Sequence, residues 1–150
     1  MPNILDTLTQ FFKEDGWNFA PVEEATALCL DFKGQSGSWT CYAQVREEQQ
    51  QFVFYSVCPH KMPEDKAIDV MEFLTRANYG LIIGNFELNL ADGEIRCKTS
   101  LDVEDAELTT PLIKHMVYAN VLAMDQYMPG ILAVISGSAS PHEAIAQIEG

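Results

Sequence analysis

The sequence predicts a single α+β domain over residues 1–150, an antiparallel sheet in the order α-β-β-β-α-β-β-α with a further short helix at the end. Three observations predict it. An Asp92-Gly93 pair lies among alternating apolar residues between Tyr79 and Leu101, the strongest short-range signal of a β-hairpin. Three stretches before it, Ala25 to Lys33, Ser38 to Arg46 and Gln51 to Cys58, alternate as strands do. From Leu112 to Met128 the chain is apolar nearly all round, broken by Lys114, His115, Asn120, Asp125 and Gln126, which makes a helix that must be covered on more than one side.

The elements follow in order. Ile4, Leu5, Leu8, Phe11 and Phe12 recur at helical spacing, and Gly16 offers a left-handed stop. Trp17 and Phe19 are expected to pack on the sheet before Pro21 and Glu23-Glu24 break the pattern. Joining the three strands by symmetric turns aligns Leu30, Cys41 and Ser56, then Phe32, Trp39 and Cys58, then Leu28, Ala43 and Phe54, on a helix-covered face. The opposite face carries Cys29, Tyr42 and Tyr55 in one row, Asp31, Thr40 and Val57 in a second, and Ala27, Gln44 and Val53 in a third.

Pro63, Glu64 and Asp65 then open a helix with a buried stripe of Ala67, Val70, Met71, Leu74 and Ala77, widened by Ile68 and Phe73 and ended by Gly80. A type I′ turn at Asp92-Gly93 sets Leu90 opposite Ile95, Leu88 opposite Cys97 and Phe86 opposite Thr99, with Glu87 facing Lys98 on the other side. Thr110-Pro111 starts the long helix, which is either the central core helix or in part a subunit interface. Pro129-Gly130 is expected to kink or end it, Ile131 to Ile135 forms a short apolar segment, and Ser140-Pro-His-Glu143 is a capping box for the last helix.

Composition excludes several classes. With 22 acidic against 9 basic residues the formal net charge is −13, so nucleic acid and anionic membrane surfaces are repelled. A partner that is basic, or apolar with a basic rim, is favoured, unless the acidity serves solubility alone. Five polar residues keep the long helix from reading as a membrane span, and Met-Pro-Asn-Ile-Leu-Asp lacks the basic start of a signal peptide, so a cytoplasmic protein is expected.

Chemistry is sparse. Cys29, Cys41, Cys58 and Cys97 have no metal or thioredoxin spacing and are expected to fill the core. His60, His115 and His142 stand apart, so no metal, cofactor or catalytic residues are expected. Cys58-Pro59-His60 is the one cysteine with a histidine near it, and the acidic run from Asp102 to Glu107 lacks the regular spacing of a calcium loop. What remains is surface: Cys29, Tyr42, Val53, Tyr55 and Val57 form the candidate partner or dimer face, together with part of the long helix.

The run Gly84 to Arg96, the segment Asn120 to Tyr127 and the ending Ser140 to Ile148 together resemble the YbjN-type bacterial sensory transduction regulators, closest in flavour to their cyanobacterial branch of unknown function. The resemblance implies a fold like that of the type III secretion chaperones, which are small acidic homodimers that bind client segments. It transfers no client and no catalytic residues. The expectation is therefore a non-enzymatic, homodimeric, chaperone-like protein-binding or regulatory module that takes a protein or peptide client. The alternatives are a small-molecule-binding protein or enzyme with a pocket between sheet and helices, and a stand-alone redox sensor.

Overall fold

In the computed structural model, which describes residues 3–150, alternation sets the centre of the sheet as the sequence implies. The Met1-Pro2 start of the N-terminal reading lies outside the described residues. Strands β2 (Ala27–Lys33), β3 (Ser38–Arg46) and β4 (Gln51–Val57) pair antiparallel with Leu30, Cys41 and Ser56 in one row and Leu28, Ala43 and Phe54 in the next. Their apolar sides face the helices and are buried.

An edge strand that the sequence reading does not contain, β1 (Asn18–Pro21), pairs with β2, and β5 (Asn85–Leu88) and β6 (Ile95–Asp102) complete a six-stranded sheet in the order β1-β2-β3-β4-β6-β5. Four residues holding a proline carry little strand signal of their own. Pairing with β2 makes them a strand, and Pro21 leaves that edge without one N–H.

The hairpin keeps its faces but not its register. Phe86 pairs with Cys97 and Leu88 with Ile95, two residues away from the expected pairing. The turn is a four-residue loop in which Gly93, not Asp92, takes a positive φ of 78°. Asn89 and Asp92 side chains accept the Ala91 and Glu94 N–H groups, and the Gly93 carbonyl accepts the Met62 N–H at 2.9 Å. A Cβ on Gly93 would stand 2.6 Å from the Met62 carbonyl oxygen, so docking against this neighbouring loop holds the wider turn.

Helix α1 (Ile4–Glu14) starts on Asn3, whose side chain accepts the Asp6 N–H, and the Glu47 carboxylate accepts the N–H groups of Ile4 and Leu5 at 3.0 and 3.1 Å. Phe12 sits at its centre among Trp17, Phe19 and Phe54. A short 3-10 turn, Glu64–Lys66, leads into α2 (Ala67–Gly80). Val70, Phe73, Leu74 and Ala77 are its buried side. Ile68 and Met71, expected to belong to that stripe, point to solvent instead.

Helix α3 begins one residue earlier than expected, with Thr109 as its cap, and runs as one element from Thr110 to Ser136. Pro129 does not end it. A proline leaves the carbonyl four residues back without its helical donor, and here that carbonyl belongs to Asp125, which accepts the Ser36 hydroxyl at 2.9 Å from the β2–β3 turn. The Asp125 carboxylate accepts the Ser36 N–H at 2.7 Å and the Gln35 N–H at 3.0 Å, and at 2.7 Å it shares the single Ser36 hydroxyl proton with that carbonyl. Burial would raise this carboxyl, but the Ser36 and Gln35 donors outweigh it and hold it below the usual range.

A group depressed in this way stabilises the fold above its unfolded value and stops doing so as pH falls through its folded one. Asp125→Ala is therefore expected to cost about 1–2 kcal/mol at neutral pH, discounted for its partial exposure, with the gap closing below about pH 4. Urea unfolding of both chains across that pH range checks it.

Helix α4 (Pro141–Glu149) starts on the expected Ser140–Glu143 capping box. It packs with α2 against the far side of α3, whose near side lies on the sheet, so α3 is the central core helix. No helix among the described residues is long and apolar enough to cross a membrane.

Candidate functional site

All five sequence-predicted surface residues come together on the outer face of the sheet. Cys29, Tyr42, Tyr55 and Lys98 form one row across β2, β3, β4 and β6, and Asp31, Thr40, Val57 and Arg96 form the next, with Val53 between Gln44 and Ser100. Cys29, Tyr42, Val53, Tyr55 and Val57 are each half-buried by their neighbours and carry no helical cover of the kind the inner face has.

The β6 end of this face is electrostatically organised. The Arg96 guanidinium lies 4.1 Å over the Tyr55 ring, and its Nε donates to Glu87 at 2.8 Å while Lys98 Nζ reaches the other carboxylate oxygen at 2.7 Å. Burial of Glu87 would raise it, but the hydrogen bonds from Lys98 and Arg96 hold it below the ordinary carboxylate range. Arg96 and Lys98 are thus both engaged by Glu87, and Glu94 stands beside them as a second carboxylate near Tyr42.

Sequence reasoning missed a second surface. Tyr79 and Ile82 are each 95% exposed and Ile68 is 76% exposed, with Ile83, Leu90 and Met71 also open to solvent. They lie along α2, the loop after it and the tip of the hairpin, and two of them, Met71 and Leu90, line a groove of about 270 Å³ with Thr75, Asn78 and Leu88. The signal was present on α2: Ile68 and Met71 are on the side of the helical wheel away from Phe73 and Ala77. Beside this groove β5 is the sheet's edge, yet Asn78 covers it. Its amide oxygen accepts the Phe86 N–H at 2.6 Å and its amide nitrogen donates to the Phe86 carbonyl at 3.1 Å, in the place of a neighbouring strand.

Three thiols, Cys41, Cys58 and Cys97, are buried, whereas Cys29 is half-buried on the outer face. Burial pushes the thiols of Cys41 and Cys97 up to about 12, despite the Cys41 contact with the Ser56 hydroxyl at 3.6 Å. These two cysteines flank Ser56 across β4, so they stand roughly 9–10 Å apart, beyond the reach of a disulfide. Cys58 is buried and also raised, and the group of His60 that bonds it is the backbone N–H, not the imidazole. Among the described residues no group of three or more His, Cys, Asp or Glu side chains is placed to hold a metal ion.

The space between sheet and helices, where a ligand pocket was the alternative expectation, holds the fully buried Phe12, Phe52, Phe54, Met124 and Met128. A cleft of about 670 Å³ opens at the surface between Ile4, Thr7, Glu47, Gln50, Val103 and Leu108, where the Glu47 carboxylate is already spent on the start of α1.

A family model described as "Putative bacterial sensory transduction regulator", YbjN, matches residues 5–133. Among solved structures the chain is similar to YbjN from E. coli, described as "a putative transcription regulator", at 14% identity and a TM-score of 0.63, over 83% of this chain and 91% of that one. An uncharacterized protein from Methanothermobacter thermautotrophicus is similar at 12% identity and a TM-score of 0.59, over 86% and 96% of the two chains. The complex of ExsC with ExsE contains a chain similar at 11% identity and a TM-score of 0.54, over 83% and 96%. These are likenesses of fold, and they bear out the secretion-chaperone-like α+β class. No curated protein matches the chain in sequence.

Proposed function

The chain belongs to the YbjN family, and on that premise we propose that it is a non-enzymatic, homodimeric, chaperone-like protein-binding or regulatory module of the cytoplasm. The observation that carries the reading is the outer sheet face. Strands β3 and β4 present Tyr42, Tyr55, Val53 and Val57 as an amphipathic surface, without a helix over it and with Arg96 and Lys98 at one end. Rigid aromatic side chains on a sheet suit docking of a protein segment, because they bring contact area at little cost in side-chain entropy. The segment that fits has apolar and aromatic side chains. Support also comes from ExsC, a neighbour in fold whose structure is that of a complex with ExsE.

The test is parallel affinity capture from cytosol with the wild-type chain and with Tyr55→Asp and Val57→Asp. Tyr55 and Val57 are part-exposed, so both variants should stay folded. A defined protein retained by the wild type and lost by at least tenfold on both variants is the expected result. Retention of the same proteins by all three chains removes the sheet face as the binding surface.

A further inference from the structure

We propose that the cleft at the acidic end of the sheet binds a basic peptide segment, with Lys or Arg side chains flanking an apolar anchor. This surface is separate from the outer sheet face and stands whether or not that face holds a partner. Three connections come together at this end: residues 22–26 between β1 and β2, 47–50 between β3 and β4, and 103–109 between β6 and α3. Backbone bonds tie them to the sheet, the Val103 N–H donating to the Gln50 carbonyl at 2.9 Å and the Val45 N–H to the Thr26 carbonyl at 2.8 Å. The start of α1 joins them through the Glu47 carboxylate.

The three connections hold seven carboxylates and no lysine or arginine. Glu47 is the one the fold uses. Glu23, Glu24, Glu48, Glu104, Asp105 and Glu107 are exposed, and among the described residues no Lys, Arg or His pairs with any of them. Six such charges at one end repel each other and destabilise the fold slightly, while concentrating a negative potential where a cation approaches.

The cleft gives that potential a shape to act on. Its volume of about 670 Å³ is in the range of binding clefts, with Ile4, Val103 and Leu108 as its apolar part and Gln50 and Glu107 on its polar side. A Lys or Arg stem lies against such a floor while its head reaches the carboxylates around it. Charge selects this occupant over others. A second copy of the chain, at −13, meets repulsion, as does a nucleic acid. A metal ion finds no match, because among the described residues no three carboxylate, His or Cys side chains close on one point. Carboxylates spread around an apolar floor suit an extended chain that carries several cations.

Fluorescence anisotropy tests it with a labelled peptide in which arginines flank a central pair of leucines. The wild-type chain is expected to bind it, and to bind neither the same peptide with Glu for Arg nor, at comparable strength, the one with Ser for Leu. Glu104→Gln/Asp105→Asn/Glu107→Gln is expected to weaken binding on the order of tenfold without a lower melting temperature. Glu64→Gln/Asp65→Asn/Asp69→Asn, which removes the same charge at the start of α2, and Tyr55→Asp are expected to leave it within about twofold. Equal losses in the two triple variants, or equal binding of the Ser peptide, would reduce the effect to net charge and overturn the cleft. Binding lost on Tyr55→Asp and kept by the Glu104, Asp105 and Glu107 variant would place the peptide on the sheet face instead. A wild-type chain that binds no basic peptide overturns the proposal and leaves the sheet-face reading as it was.

Discussion

Asn120→Asp is expected to leave the chain unfolded or barely folded at neutral pH. Asn120 is fully buried on α3, and its amide nitrogen lies 2.8 Å from the Phe54 carbonyl, 3.0 Å from the Cys97 carbonyl and 3.2 Å from the Thr99 hydroxyl. Two hydrogens shared among three acceptors tie the central helix to the neighbouring strands β4 and β6. The isosteric carboxylate has no donor to offer and would face carbonyl oxygens in a place without water. The cost is about 4–5 kcal/mol, a large part of a domain's whole stability. Burial raises such a carboxyl in the folded chain, so the loss is greatest at high pH and is relieved as pH falls and the group protonates. Asn120→Ala, which removes the donors without adding charge, is expected to cost about 2–3 kcal/mol. Urea unfolding measures both, and an Asp variant within about 1 kcal/mol of wild type at pH 7 would show that this bridge does not hold the layers together.

Gly130→Val is the second large effect. Gly130 lies on α3 where α2 and α4 cross it, and an added Cβ would overlap the end of the Ile148 side chain and stand 2.5 Å from Cζ of Phe73. Ile148 is flexible at that point, whereas the Phe73 ring is fully buried and cannot retreat without moving α2. Gly130→Ala gains about 1 kcal/mol of helix propensity against an overpacking cost of about 1–3 kcal/mol, and is expected to come out mildly destabilising. The valine has no such offset and is expected to cost about 3 kcal/mol or more. Trimming the opposing ring discriminates the cause: Gly130→Val in a Phe73→Leu background should lose markedly less than in the wild type. Equal losses in both backgrounds would place the strain elsewhere.

Legibility in the sequence ends where contacts between distant parts of the chain decide the conformation. The Leu30, Cys41 and Ser56 row was legible because alternation and short turns leave β2, β3 and β4 one register that buries their apolar side. At the hairpin a two-residue and a four-residue turn bury the same face, and the choice is made by Met62 docking on Gly93, a contact between distant parts of the chain. Pro129 misled for a similar reason, since the donor that replaces its missing N–H is Ser36, some ninety residues away.

The candidate surfaces divide along the same line. The outer sheet face, from Cys29 to Val57, follows from strand register and was found. The α2 surface was missed because Ile68 and Met71 are apolar and group with the core stripe by residue type, although the helical wheel sets them opposite Phe73 and Ala77.

Amide hydrogen exchange read by mass spectrometry tests docking on the outer sheet face most directly, on the chain alone and with the partner recovered by capture. The partner is expected to slow exchange over residues 38–57. Exchange over 38–57 that the partner leaves unchanged would contradict it.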